Sequence, residues 1–191
     1  INVATWLPDT VGTPFSISAW IKLPNDYGEI RGALVTIGDS SAGSEYYGMT
    51  NYSLIINGER TFYANMWTRN NDQWAAALLN SSQTNESDRL QLDTWHHVLF
   101  TWPGTFSEDV GWYIDGRKIT SWDGEWHQQI PLTNIIEHND HLYIGTWPGI
   151  GFTFSKDVKI ANIRIWNGVI TPGILTYGNS PPRDLTDVLY N

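Results

Sequence analysis

The side chains with chemical potential in this 191-residue chain are aromatic far more than nucleophilic: 11 Trp and 9 Tyr stand beside 5 His and no Cys. Without Cys there is no thiolate and no disulfide. Neither a Gly-x-Ser-x-Gly elbow nor a glycine-rich phosphate loop occurs. The close acidic pairs, Glu86/Asp88, Glu108/Asp109 and Asp123/Glu125, all fall in turn-like stretches. His96 and His97 are adjacent, so on a strand they take opposite faces and at most one can serve a site. His138-x-x-His141 fits neither a metalloprotease helix nor a zinc set, because no third ligand is evident. Indole suits a different chemistry. The apolar C–H face of a sugar ring lies flat on it, while nearby Asn, Asp, Gln or Tyr groups take the hydroxyls.

Some of these aromatics sit in patterns that fit such a role. Tyr63, Asn65 and Trp67 share one parity of a stretch whose other parity, Phe62, Ala64 and Met66, is core-like. The first set mixes aromatics with an amide, as a binding face does; its alternative is packing under a loop. Trp122 and Trp126 flank the turn Asp123-Gly124-Glu125, which leaves at least one of them exposed, folded back as a plug, or docked on a neighbour. "TWPG" occurs at Thr101–Gly104 and again at Thr146–Gly149, each time after an apolar run. The flanks do not match, so this is not an internal repeat.

Charge narrows the partners. The net charge is −9, and the 11 Lys and Arg form no cluster. A nucleic-acid binder needs a basic face to displace counterions from phosphates, so nucleic acid and anionic membrane surfaces are poor candidates. Acidic charge with many neutral hydrogen-bonding groups suits a neutral partner, or a cation such as calcium. No stretch approaches 18 consecutive apolar residues, which excludes a spanning helix. The chain begins at Ile1 without Met or a leader-like segment and reads as one domain, 1–191, cut from a longer protein.

The elements that must position these residues are strands. Short alternating runs predict strands near 15–22, 33–37, 52–56, 61–67, 74–79, 96–102, 111–114, 118–120, 141–146 and 158–166. Turn chemistry separates them, most sharply at Asn57-Gly58 and Asp115-Gly116. Only 171–177 and 184–190 read as short helical turns. Strands at this spacing without a long helix predict an all-β, two-sheet antiparallel sandwich or jelly roll. Trp20, Val98, Phe100, Ile114, Ile144, Ile163 and Ile165 are its expected shared core.

The motifs in order resemble a family. "TWHHVLFTW…VGWYIDGRKI" resembles the central segment of laminin-G-like and pentraxin-like domains, "HLYIGTW" the strand that follows, "VKIANIRIWNGVITPGIL" the closing strand, and "PFSISAWIK" an early one. The resemblance covers most of the chain. It implies a concanavalin A-like jelly roll with a binding role, commonly for glycans or proteins and commonly assisted by calcium. It also implies that Trp20, Trp95, Trp102, Trp112 and Trp166 occupy core positions. Trp67, Trp74, Trp122, Trp126 and Trp147 then stand outside that set.

Departures from the family weaken its other chemistries. The loop that follows the Ile-Gly strand, 146–151, has no carboxylate here, and the closing strand carries Ala161-Asn162 where many relatives carry Asp. Asp39, Glu45, Asp109 and Asp157 are the remaining loop carboxylates, with no spacing that converges several oxygens on a cation. Calcium is therefore possible but unsupported at the family's usual loop, and no cofactor is required. Hydrolases of this fold place catalytic carboxylates as Glu-x-Asp-x-x-Glu, a string absent from this chain. The expectation is a non-catalytic, extracellular or surface recognition module that binds a glycan or glycoprotein through Trp147, Trp67, Tyr63, Asn65, Trp122, Trp126 and Trp74. A second reading is a structural module of a virion, tail fibre or adhesin, with Trp faces buried between chains. A third is a lyase or hydrolase of the same fold.

Overall fold

The computed structural model describes residues 14–28, 32–38, 51–56, 59–70, 73–79, 86–104, 110–119, 127–128, 141–147, 152–154 and 157–172. Among them run thirteen strands: β1 (Phe15–Lys22), β2 (Gly32–Gly38), β3 (Asn51–Ile56), β4 (Phe62–Asn70), β5 (Gln73–Leu79), β6 (Trp95–Trp102), β7 (Gly111–Ile114), β8 (Arg117–Lys118), β9 (His127–Gln128), β10 (His141–Ile144), β11 (Thr146–Trp147), β12 (Phe152–Thr153) and β13 (Lys159–Trp166). The helical content of the described chain is a 3-10 turn at Glu86–Asp88 and the onset of another at Pro172. The expected strands are present except that β8 ends at Lys118, so the 118–120 strand is met at one residue, and the 141–146 strand is split. The short strands β9 and β12 and the Glu86–Asp88 turn are additions, too brief to leave a periodic pattern. The expected helical turns lie outside the described residues, except for the start of the first at Thr171–Pro172.

The strands form two antiparallel sheets and a small hairpin. One sheet has the order β13-β1-β6-β7-β8, the other β10-β2-β3-β4-β5-β9, and β11 pairs with β12. The odd positions of β1 (Phe15, Ile17, Ala19, Ile21) meet Val98, Phe100, Trp102, Trp112 and Ile114 in one core, together with Leu34, Val35 and Ile56 of the other sheet. The Phe100 ring sits 5.9 Å from Phe15 and 5.3 Å from Trp112, both tilted. Ile163 and Ile165 pack against this core partly buried.

Trp95 and Trp166, core positions by the resemblance, are only half-buried and outside the core cluster, and two of the seven expected core residues are placed elsewhere. Trp20 is buried, but on the even parity of β1, where its ring meets His97 edge-on at 5.3 Å on the sheet's other face. Ile144 is 48% exposed; β10 is an edge strand, and Leu142 supplies its core contact. The run expected as one strand over 141–146 breaks at Gly145, whose φ of 77° belongs to the left-handed region that glycine enters without penalty.

Three local devices fix the sandwich. Asn162, at φ 51°, lies at the bulge that shifts the β1–β13 register between Ser18 and Trp20. Beyond β13 the chain folds back over β1: Ser16 Oγ donates to Gly168 O (2.7 Å) and accepts from Ile170 N–H (3.1 Å). The 86–90 segment ties a hairpin of one sheet to a hairpin of the other. Leu90 N–H donates to Arg60 O in the β3–β4 connection, Arg60 pairs with Glu86, and Arg117 of β8 pairs with buried Asp88.

Candidate functional site

The candidate face is a product of register. In β3–β4, Ile55 opposes Tyr63, Ser53 opposes Asn65 and Asn51 opposes Trp67; in β4–β5, Leu78 opposes Asn65, Ala76 opposes Trp67 and Trp74 opposes Arg69. Directly opposed residues of an antiparallel pair share a face. Tyr63, Asn65, Trp67 and Trp74 therefore belong to one face of the six-stranded sheet, with Asn51, Ser53 and Arg69 among them. Ile56, fully buried in the core, opposes Phe62, so the other parity of β4 is the core parity.

The same face extends in both directions. Thr36 opposes Ser53 and Tyr143 opposes Thr36; His141 opposes Gly38; on the far side His127 opposes Leu78. Thr36 is buried and Tyr143 half-buried, which closes the face near β2. No Asp or Glu occupies this face among the described residues. Trp67 and Trp74 are diagonal neighbours, a separation of about 7–8 Å. Tyr63, four residues from Trp67 on the same strand, extends the row by about 13 Å.

The remaining candidates are distributed differently. Trp147 belongs to β11, opposes Phe152 of β12 and lies in a hairpin packed beside β2; no strand register joins it to the face of Tyr63 and Trp67. Trp122 and Trp126 lie outside the described residues, as do Asp39, Glu45 and Asp109. Asp157 is exposed in the turn before β13. Among the described residues no three His, Asp or Glu side chains gather as a cation would require. Arg69 and His127 are members of the face that sequence reading missed; strand parity signals Arg69, while His127 joins only through its pairing to β5.

The histidines of β6 have structural partners. His96 Nε2 accepts from Gln91 N–H at 2.9 Å, which leaves Nδ1 as the donor to Asp115 Oδ2 at 2.7 Å. Both ring nitrogens are engaged. Asp115 Oδ1 accepts from His97 N–H at 2.8 Å, and Asp115 N–H returns a bond to His97 O. Burial pushes the Asp115 carboxyl up, but bonds from the His96 ring and the His97 amide, with the nearby imidazoles, bring it below its ordinary value. His97 is held below 6.5, chiefly by burial and further by Arg164, against an opposing pull from Asp115. Among the described residues no helix is long and apolar enough to cross a membrane.

Solved structures share this fold at low identity. The binding domain of botulinum neurotoxin serotype D is 14% identical with a TM-score of 0.53, over 91% of this chain and 39% of that one. A NanB complex with Optactamide is 15% identical with a TM-score of 0.55, over 93% of this chain and 26% of that one. The CBM40 of Ruminococcus gnavus IT-sialidase, bound to alpha2,3 sialyllactose, is 12% identical with a TM-score of 0.51, over 87% of this chain and 82% of that one. The chain thus spans about two fifths of the neurotoxin domain and a quarter of NanB. No curated protein matches it. With two antiparallel sheets around a shared core, and a family model for the concanavalin A-like lectin/glucanases superfamily matching residues 2–173, the chain belongs to that superfamily.

Proposed function

We propose that this chain is a non-catalytic recognition module that binds carbohydrate on the aromatic face of its six-stranded sheet. One observation carries the reading: the register sets Tyr63, Asn65, Trp67 and Trp74 on a common face, opposite the parity that joins the core. A row of aromatics with amides and hydroxyls between them offers stacking and hydrogen bonds to a saccharide longer than one ring. Trp147, Trp122 and Trp126 are the further stacking residues of this proposal.

The same inventory supports binding rather than hydrolysis. A retaining glycosidase sets two carboxylates about 5 Å apart across the scissile bond. This face carries no Asp or Glu among its described residues. His96, whose ring bonds the Asp115 carboxylate, has both nitrogens committed to structure. The fold-sharing CBM40, by its name and ligand, binds a saccharide, which supports the reading without locating its site here. An extracellular or surface location is the setting this reading proposes for it.

The test is a glycan array on the wild-type chain, followed by calorimetric titration of Trp67→Ala and Trp74→Ala with the best hit. Both variants are expected to keep the wild-type melting temperature within a few degrees. Each is expected to lose about 1–3 kcal/mol of binding, the scale measured for aromatic stacking of planar bases. A chain that binds no glycan, or whose binding ignores both substitutions, overturns the proposal.

A further inference from the structure

The charge of the proposed face differs from that of the chain. Asp and Glu number 20 against 11 Lys and Arg, for a net charge of −9. Yet the positions that share the face of Trp67 hold Arg69, His127 and His141 and no carboxylate among the described residues. Arg69 occupies a particular place in it: directly opposite Trp74 and two residues beyond Trp67 on the same strand. A neutral saccharide would use Arg69 only as a hydrogen-bond donor, whereas an acid-bearing one also uses its charge. Guanidinium is the side chain whose planar fork matches a carboxylate bidentately and whose plane is at home against indole.

Resting on the carbohydrate reading above, we infer that the ligand is a saccharide bearing a carboxylate, a sialic or a uronic acid, with its acid group taken at Arg69 between Trp67 and Trp74. The two indoles take the apolar ring faces and Arg69 reads the charge. The rest of the acidic chain repels anions in general. Selection therefore depends on this one position rather than on a basic surface, and only an acid correctly placed on a stacked ring satisfies it.

The experiment is titration of the wild-type chain with a sialylated trisaccharide, an oligogalacturonide, and the neutral counterpart of each, at low and high salt. One acid-bearing ligand is expected to bind about tenfold or more tightly than its neutral counterpart, as one charge-assisted contact supplies, with the advantage shrinking as salt rises. Which of the two acids shows the advantage identifies the source. Arg69→Gln should abolish the acid preference, read as the ratio of acid to neutral affinity; Arg69→Lys should keep part of it. Melting curves of both variants separate binding from folding. If neutral sugars bind in a Trp67-dependent way and the acid makes no difference, or if Arg69→Gln keeps the preference, this inference fails and the carbohydrate reading stands. If no saccharide binds at all, both fail.

Discussion

His96 and Asp115 are locked together between β6 and the β7–β8 turn, with Nδ1 of the imidazole 2.7 Å from Oδ2 of the carboxylate. The other carboxylate oxygen holds the His97 amide, and the other imidazole nitrogen holds the Gln91 amide. One side-chain pair thus fixes three backbone segments. Asp115 sits at φ 52° in the hairpin turn, a conformation that Asn also tolerates.

Asp115→Asn should therefore keep the turn but lose the charge that accepts two donors. A cost of about 1–3 kcal/mol is expected from the unmatched hydrogen bonds. Asp115→Ala should cost more, because Ala is strained in the left-handed region. Urea unfolding of both variants checks the order. The wild-type carboxyl titrates below its ordinary 3.8, so its contribution is present above that pH and is lost as pH falls through the lower folded value.

His97 imposes a second, earlier pH dependence. Its folded pKa is depressed below 6.5, so the unfolded chain takes up the proton first. Stability from this residue is complete above about pH 6.5 and declines as pH falls from there toward the folded value. His97→Gln should flatten the melting-temperature profile between neutrality and mild acid. An unchanged slope would assign that titration to another group.

The two tetrapeptide Trp residues should separate under mutation. Trp102 is fully buried at the end of β6, sharing its core parity with Val98 and Phe100. Trp102→Ala should cost about 3–5 kcal/mol through the cavity it leaves. Trp147, in the β11–β12 hairpin, is proposed to serve the ligand, so Trp147→Ala should weaken glycan binding with little change in thermal stability. Paired melting and titration data on the two variants decide this, and a reversed pattern would remove Trp147 from the site.

Gly32 is held by a close approach. A Cβ built there would lie 1.9 Å from the Phe154 ring. Phe154 is buried in the core, and its amide donates to Gly145 O at 3.0 Å, which limits retreat. Gly32→Ala should destabilise by about 1–3 kcal/mol, the usual cost of overpacking. Adding Phe154→Leu should recover part of that loss in thermal denaturation, since a smaller side chain frees the space.

The sequence by itself determined the class of the fold and much of its punctuation. Period-two alternation is local, so β1 and β7 appear with the bounds the pattern predicts, and Asp115-Gly116 makes its turn wherever it is placed. The deep burial of Trp102 was legible too, because it continues the apolar parity of Val98 and Phe100. Alternation states that neighbours take opposite faces; it does not state which face meets the core when both are covered. Trp20 therefore went to the His97 side, while Ser16, Ser18, Leu99 and Thr101 are buried alongside it. Edge position likewise left Ile144 exposed. Register between strands was decided by tertiary pairing alone, because hydrogen bonds between distant segments fix which residues stand opposite. That pairing joined Trp74 to Tyr63, Asn65 and Trp67, and it brought Asp115 to His96.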